Sequence, residues 1–277
     1  MSWLTQRRLS LLLRIIGVIS PGLAAEIAVW RFTTPIPIPR PEWEKELIAK
    51  GQPIQFKNGT VGTVWGPKEA PAIMLVHGWQ GRGAQLGKLV EPLLEQGFRV
   101  VAWDGPAHGD SPGRRANLRL FAELLSGAAN ELGPIRAIVA HSFGAGATAL
   151  ALSQGWMEVQ RVVLVAAPAE FEWVVAGYSR RFKVLPKVEA AFRRKFENLT
   201  GLSIAEMGIA KLAEKIETPA LVIHDEDDDE VPFSDGQKIV HHWRGSKLIA
   251  LKGVGHRRIL KSPQFIEAVV NFVGRAT

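Results

Sequence analysis

The chain of 277 residues contains no cysteine. That absence excludes a thiolate nucleophile, an iron–sulfur cluster, cysteine-ligated zinc and any disulfide framework. It leaves the redox compartment open, because a protein without thiols survives in all of them. The sequence also lacks an uninterrupted apolar run of about 20 residues, the length a spanning helix needs. Acidic residues are in deficit, 27 against 34 Lys and Arg, and the resulting +7 favours acidic surfaces as partners. Nucleic acid is not among them: no binding motif accompanies the basic residues, and the nine tryptophans are scattered rather than interleaved with them. What is present is ordinary globular material. With 47% hydrophobic and 22% charged residues, disordered and collagenous classes are excluded, and one domain can bury a full core.

Residues 1–34 stand apart as a hydrophobic segment. Arg7 and Arg8 precede an aliphatic run over 9–20, Pro21-Gly22 interrupts it, and a second apolar run ends at Trp30. Arg14 and Glu26 lie inside these runs. Such a pattern suits an amphipathic helical hairpin in a membrane interface, arginines toward headgroups and Leu, Ile and Trp toward acyl chains. Two alternatives stay open. The helices pack on the protein's own core, or the segment is a signal with Leu23-Ala24-Ala25 as a small-residue cleavage stretch. Residues 35–41, Pro35-Ile36-Pro37-Ile38-Pro39-Arg40-Pro41, cannot be helical, because each proline pushes its predecessor toward extended geometry. They read as a stiff linker ahead of a main domain over 42–277. The expected location is cytoplasmic and peripheral at the inner membrane, with secretion left open.

Beyond the linker, short apolar β-branched runs alternate with helical patterns. The runs fall at 72–76, 99–103, 137–140, 161–166, 220–223 and 247–251. Their continuous hydrophobicity means that both faces are covered. Strands separated by helices predict an α/β fold with a doubly wound, mostly parallel sheet. In such sheets the chemistry gathers past the C-terminal ends of the strands.

One strand end is unusually informative. The 137–140 run leads into His141-Ser142-Phe143-Gly144-Ala145-Gly146 and then a helix. Small residues Ala140 and Gly144 flank Ser142 by two on either side, as a sharp strand-turn-helix requires where its backbone crowds neighbouring strands. This is a nucleophile elbow, which lifts the Ser142 hydroxyl above the sheet at a helix N-terminus. A serine nucleophile needs a base, and the base an orienting carboxylate. Of seven histidines, His256 follows the last strand on a glycine-bearing loop and is the natural base. His77, His108 and His224 read as loop-stabilising hydrogen bonders, and His241 and His242 as surface residues of a helix. After the 220–223 run come six acids, Asp225-Glu226-Asp227-Asp228-Asp229-Glu230. The residues alone leave the choice among them open. Calcium is a poor fit, since Glu230 occupies the glycine position of an EF-hand loop and Gly236 its final glutamate position. The Gly81-Arg82-Gly83 stretch lacks the rest of a dinucleotide fingerprint. Neither a cofactor nor a metal is expected.

Over roughly 53–273 these motifs resemble the α/β-hydrolase superfamily. Its acid loop typically reads His-Gly-x-x-Asp-x-x-Val-Pro, and aligning His224 and Val231-Pro232 makes Asp228 the acid, with Asp225 in place of the usual glycine. Its histidine-glycine motif is matched by His77-Gly78-Trp79, which implies that the Trp79 and Phe143 amides form the oxyanion hole. Asp104-Gly105-Pro106-Ala107-His108-Gly109-Asp110-Ser111 looks like a structural loop of the family. Ala140 stands where glycine is commoner in the elbow. Serine at 142 disfavours the dehalogenases and epoxide hydrolases of the superfamily, which use aspartate there.

The resemblance implies hydrolysis of a carboxylic ester or thioester through an acyl-enzyme, with Ser142 as nucleophile, His256 as base and Asp228 as its partner. Two other readings stay in view: a perhydrolase or haloperoxidase-like activity on the same triad, and a non-catalytic membrane-associated binding protein, whose signature would be a lost triad residue. About 50 residues between Ala166 and Ala220 predict a small helical cap over 168–216. Its aromatics, Phe171, Trp173, Tyr178, Phe182, Phe192 and Phe196, suit either an acyl chain or the cap's own core. Residues 180–195 carry seven bases against one acid, Glu189, a second candidate contact for an anionic membrane surface. Because the triad lies wholly beyond the linker, the main domain is expected to act on a soluble short-chain ester without residues 1–32.

Overall fold

The computed structural model describes residues 3–274. Its strands are β1 (Gln52–Gln55), β2 (Val61–Trp65), β3 (Ala72–Val76), β4 (Arg99–Asp104), β5 (Ile135–His141), β6 (Val162–Val165), β7 (Ala220–Asp225) and β8 (Lys247–Leu251). They form one sheet in the order β1-β2-β4-β3-β5-β6-β7-β8. From β4 to β8 every pairing is parallel, and the β1–β2 hairpin adds an antiparallel edge. The predicted doubly wound sheet is present. The edge hairpin has no counterpart in the sequence reading, because Gln52-Pro53-Ile54-Gln55 has no apolar run and mostly faces solvent. Proline and glutamine are acceptable there because an edge strand leaves one side unpaired.

Alternation within the central strands divides the core in two. Met74, Val76, Val101 and Trp103 face one layer, while Ile73, Leu75, Val100 and Ala102 face the other. Helices cover both layers, so neither face of these strands needs polar residues. After α1 (Trp3–Ile19), α2 (Pro21–Phe32) and α3 (Glu42–Ala49), the sheet is wrapped by α4 (Val90–Glu95), α5 (Leu118–Leu132) and α6 (Phe143–Ser153). Between β6 and β7 stands the cap, with α7 (Glu172–Phe182), α8 (Pro186–Thr200) and α9 (Ile209–Ala213). The chain then adds α10 (Phe233–His242), α11 (Gly255–Arg258) and α12 (Pro263–Gly274).

The first two helices form a hairpin whose turn is specified locally. The Ser20 hydroxyl accepts from the Leu23 amide, and Pro21 occupies the first helical position, where no amide donor is needed. One side of the hairpin is packed on the cap. Ala24, Ala25 and Ala28 are fully buried, small enough to bring α2 close to α8. Gly17 fits against the same helix, where an added Cβ would sit 2.7 Å from the Val188 Cγ2. Polar contacts fix the arrangement: Ser10 Oγ donates to the Phe182 carbonyl at 2.6 Å, and Tyr178 Oη to the Ala28 carbonyl at 3.1 Å. Phe32 closes the contact, edge-on to Phe192 and Phe196 with centroids 5.4 and 5.3 Å away. No helix among the described residues is long and apolar enough to cross a membrane.

Candidate active site

Ser142 sits between β5 and α6 with φ 50° and ψ −117°. A non-glycine residue holds such a backbone at a cost of about 1–3 kcal/mol, tolerated where surrounding packing enforces it. Packing does enforce it here. A Cβ on Gly144 would lie 2.3 Å from the His77 carbonyl, and one on Gly78 would lie 3.1 Å from the Ser142 Cβ. Only glycine lets β3 and the start of α6 approach this closely.

His256, on α11, comes to the same point from the other end of the sheet. Its Nε2 is 3.1 Å from Ser142 Oγ, and its Nδ1 is 2.8 Å from Asp228 Oδ2. Nδ1–H donating to the carboxylate leaves Nε2 as an acceptor for the serine proton. The other oxygen of Asp228 accepts the Glu230 and Val231 amides, each at 2.8 Å. Burial alone would raise this carboxyl's pKa. Hydrogen bonds from His224, His256 and the Val231 amide outweigh it, and hold the group well below the usual carboxylate range.

The remaining acids are placed elsewhere. Asp225 accepts the Asp227 amide with one oxygen and the Val254 amide with the other, both at 3.0 Å. It thereby ties the acid loop to the loop that carries His256. Asp227 and Asp229 are exposed. Among the six acids, Asp228 is the one that the structure sets against His256.

The other buried histidines are fixed by backbone partners. His77 Nδ1–H donates to the Gly78 carbonyl at 2.7 Å, and its Nε2 accepts the Gly105 amide at 2.9 Å, so the buried ring is neutral. Burial pushes it down to about 4. His108 bonds the Pro106 carbonyl at 2.8 Å, His224 the Val231 carbonyl at 3.0 Å, and His241 and His242 are exposed. His141 had no role in the sequence reading. It lies beneath His256 with ring centroids 4.8 Å apart, and its Nε2–H donates to the His256 carbonyl at 3.0 Å. Burial, then the neighbouring His256, lowers it to about 3, so a neutral ring underlies His256. Only its place beside Ser142 could have drawn attention to it.

Ser142, His256, Trp79 and Phe143 line a pocket of about 720 Å³. The Phe143 amide is the first of α6 and so lies outside the helix's own hydrogen-bond ladder. The Trp79 ring meets the Phe143 ring edge-on at 5.1 Å. Phe171, Tyr178 and Phe182 of the cap form one wall. Another wall comes from Phe32, Ile36 and Ile38, at the end of α2 and in the proline-rich stretch. The segment read as a spacer is therefore part of the pocket, and the expectation that residues 1–32 are dispensable for activity does not fit this geometry. Buried Arg82 holds it there. Its guanidinium donates to the Ile38 and Pro39 carbonyls at 3.1 and 3.4 Å and pairs with buried Glu44. A smaller cavity of about 330 Å³, lined by Trp43, Arg258 and Lys261, also reaches Ser142 and His256.

This chain is similar to several known proteins. A bifunctional esterase/perhydrolase of Acinetobacter calcoaceticus is 27% identical over 241 residues, covering 69% of this chain and 87% of that relative. The solved structure of a Pyrococcus furiosus esterase superposes with a TM-score of 0.65 at 19% identity, covering 87% of this chain and 96% of that one. A thioesterase domain from the curacin biosynthetic pathway superposes with a TM-score of 0.58 at 17% identity, covering 80% of this chain and 98% of the domain. At these identities the structural likenesses speak for the fold. The model of the alpha/beta hydrolase family matches residues 73–269, a span that includes the elbow, the acid loop and the histidine loop. The chain belongs to the alpha/beta hydrolase family.

Proposed function

We propose that the protein is a serine hydrolase that cleaves a carboxylic ester or thioester through an acyl-enzyme. The observation that supports this most is the unbroken hydrogen-bond chain from Ser142 through His256 to Asp228 at the floor of the larger pocket. In this reading the Ser142 oxygen attacks the acyl carbon as His256 Nε2 takes its proton. The tetrahedral oxyanion rests on the Trp79 and Phe143 amides. His256 then returns the proton to the leaving oxygen or sulfur, and water repeats the sequence to release the acid. Asp228, held ionised, stabilises the imidazolium throughout. The apolar 720 Å³ pocket takes the acyl chain, and the smaller cavity with Arg258 and Lys261 takes the leaving group. The sequence's membrane partner stands on a separate observation, the outward face of α1 and α2.

A fluorophosphonate probe tests the assignment directly. It should label Ser142 stoichiometrically, and Ser142→Ala should abolish labelling and lower kcat on p-nitrophenyl esters about 10⁴-fold. Labelling that survives the substitution sinks the reading. Acyl-thioesters and oxygen esters of graded chain length would then rank the substrates. Perhydrolysis is a second reading, favoured by the named activity of the Acinetobacter relative. There, hydrogen peroxide replaces water in opening the same acyl-enzyme and a peracid leaves; peracid release with added peroxide distinguishes it.

A further inference from the structure

The hairpin of α1 and α2 is packed on one side only. On its inner side Leu13 and Ala25 are buried against the cap. On its outer side, where a surface helix normally turns polar residues to water, both helices present a second apolar stripe. In α1 this stripe is Leu11, Ile15 and Val18, spaced i, i+4, i+7, and in α2 it is Leu23 and Trp30, with half-buried Ile27 between them. Exposure rises toward the hairpin tip, where Val18 is 77% and Ile19 83% accessible. Elsewhere among the described residues, the exposed large apolar side chains are Ile38 and Leu199 alone, at 40% and 45%. A contiguous patch of this kind marks an interaction surface rather than ordinary surface scatter.

The charge around the patch identifies its partner. Exposed Arg7, Arg8 and Arg14 lie on α1 itself. Exposed Arg180, Arg181 and Lys183 lie beside it, because Gln6 and Ser10 of α1 hydrogen-bond the Arg181 and Phe182 carbonyls. The exposed acid of the hairpin, Glu26, has Lys195 at 3.8 Å. A second copy docked here by two-fold symmetry would set like charges against each other. An anionic lipid bilayer matches both features, with an apolar interior for the stripes and phosphates for the cations.

We propose that this face of the hairpin docks the protein on an anionic lipid bilayer, with the Val18–Ile19 tip inserted. The same element also walls the catalytic pocket. Arg31 and Phe32 end α2, Arg181 and Phe182 end α7, and all four line the cavity above Ser142. The pocket is thus bordered by the docked surface, and an acyl ester resident in the bilayer is the substrate this placement serves. That last step rests on the ester-hydrolase reading; the docking itself does not.

Flotation of the full chain with vesicles tests the docking. Wild type should float with vesicles of equal phosphatidylglycerol and phosphatidylcholine, and less as salt rises. The Val18→Ser/Ile19→Ser pair should lower partitioning roughly tenfold or more, with melting temperature and hydrolysis of a soluble short-chain ester unchanged. Arg7→Gln/Arg8→Gln/Arg14→Gln should weaken binding to the mixed vesicles and leave binding to pure phosphatidylcholine unaltered. Ser142→Ala should float like wild type, which reads docking apart from catalysis; wild type that floats but hydrolyses no ester defeats only the enzymatic reading. Wild type that stays at the bottom of the gradient, or a serine pair that floats normally, overturns the docking. So does a lipid-free dimer that the serine pair dissociates, which would assign the patch to a second copy.

Discussion

Arg82 and Glu44 form an ion pair sealed from water, with 5% and 4% of their side chains accessible. A second contact, Arg82 Nη2 to Glu44 Oε1, spans 2.9 Å, and the remaining donors reach the Ile38 and Pro39 carbonyls. One pair thus fastens α3 and the proline-rich wall to the strand-end loop that carries Trp79. Breaking one partner leaves an uncompensated buried charge. Glu44→Ala should cost about 3–5 kcal/mol in urea unfolding, while an apolar double replacement such as Arg82→Met/Glu44→Leu should cost less. Equal stability of Glu44→Ala and wild type would show that the pair anchors nothing.

The acid loop offers a sharper test, because the side chains of Asp225 and Asp228 are both buried and differ in partner. Asp228→Asn should collapse kcat by about 10⁴-fold, since His256 loses its correct tautomer. Asp225→Asn should act mainly on stability by loosening the Val254 amide, and Asp227→Asn and Asp229→Asn should be close to neutral. Steady-state kinetics across the four variants decides the matter. A larger loss at Asp227 or Asp229 than at Asp228 would move the acid.

Three buried histidines set the acid limit of the fold. His77, His108 and His141 are held at about 4, 3 and 3, chiefly by burial. In the unfolded chain they take up protons near pH 6.5. Below that pH the unfolded state binds more protons than the folded one, so stability falls on acidification, by up to about 1.4 kcal/mol per pH unit per histidine. Asp228 adds to this only below about pH 4, where its depressed folded pKa makes protonation destabilising. Urea unfolding between pH 7 and pH 5 should show the slope, and His108→Asn should flatten it by about one histidine's share. A slope unchanged in that variant would refute the assignment.

Removal of residues 1–34 should do more than remove the proposed lipid-docking face. It strips Phe32 from the pocket and uncovers Phe192 and Phe196, which are each 1% exposed in the intact chain. The truncated chain should aggregate or lose activity even on a soluble short-chain ester. Phe32→Ala is the milder version: because the ring is only half-buried, it should cost about 3 kcal/mol, the low end for a truncated phenylalanine. A truncated enzyme with normal turnover and melting temperature would restore residues 1–34 to the status of an appendage.

The sheet was legible because local chemistry dictates it. Continuous apolar runs such as Ala72–Val76 have few fates other than a strand covered on both sides. The elbow was legible for a related reason: small residues on both sides of Ser142 are a steric requirement written within five residues. The edge hairpin β1–β2 escaped because an edge strand needs no distinctive composition. His141 escaped because its partner, the His256 carbonyl, lies 115 residues away in sequence.

The sequence by itself determined the apolar runs that become the central strands, the turn that presents Ser142 and the apolar character of residues 9–30, since each depends on neighbours within a few residues. The family resemblance of the acid loop pointed to Asp228, but the residues alone left six acids open, and the tertiary structure is what sets the Asp228 carboxylate against His256, because neighbours one residue apart in a loop point in different directions. It alone decided that Phe32 and the prolines wall the pocket, and that the hairpin covers the cap with one face while leaving the other bare. Those outcomes depend on packing between segments far apart in sequence, and helical periodicity fixes which residues share a face without fixing what that face will meet.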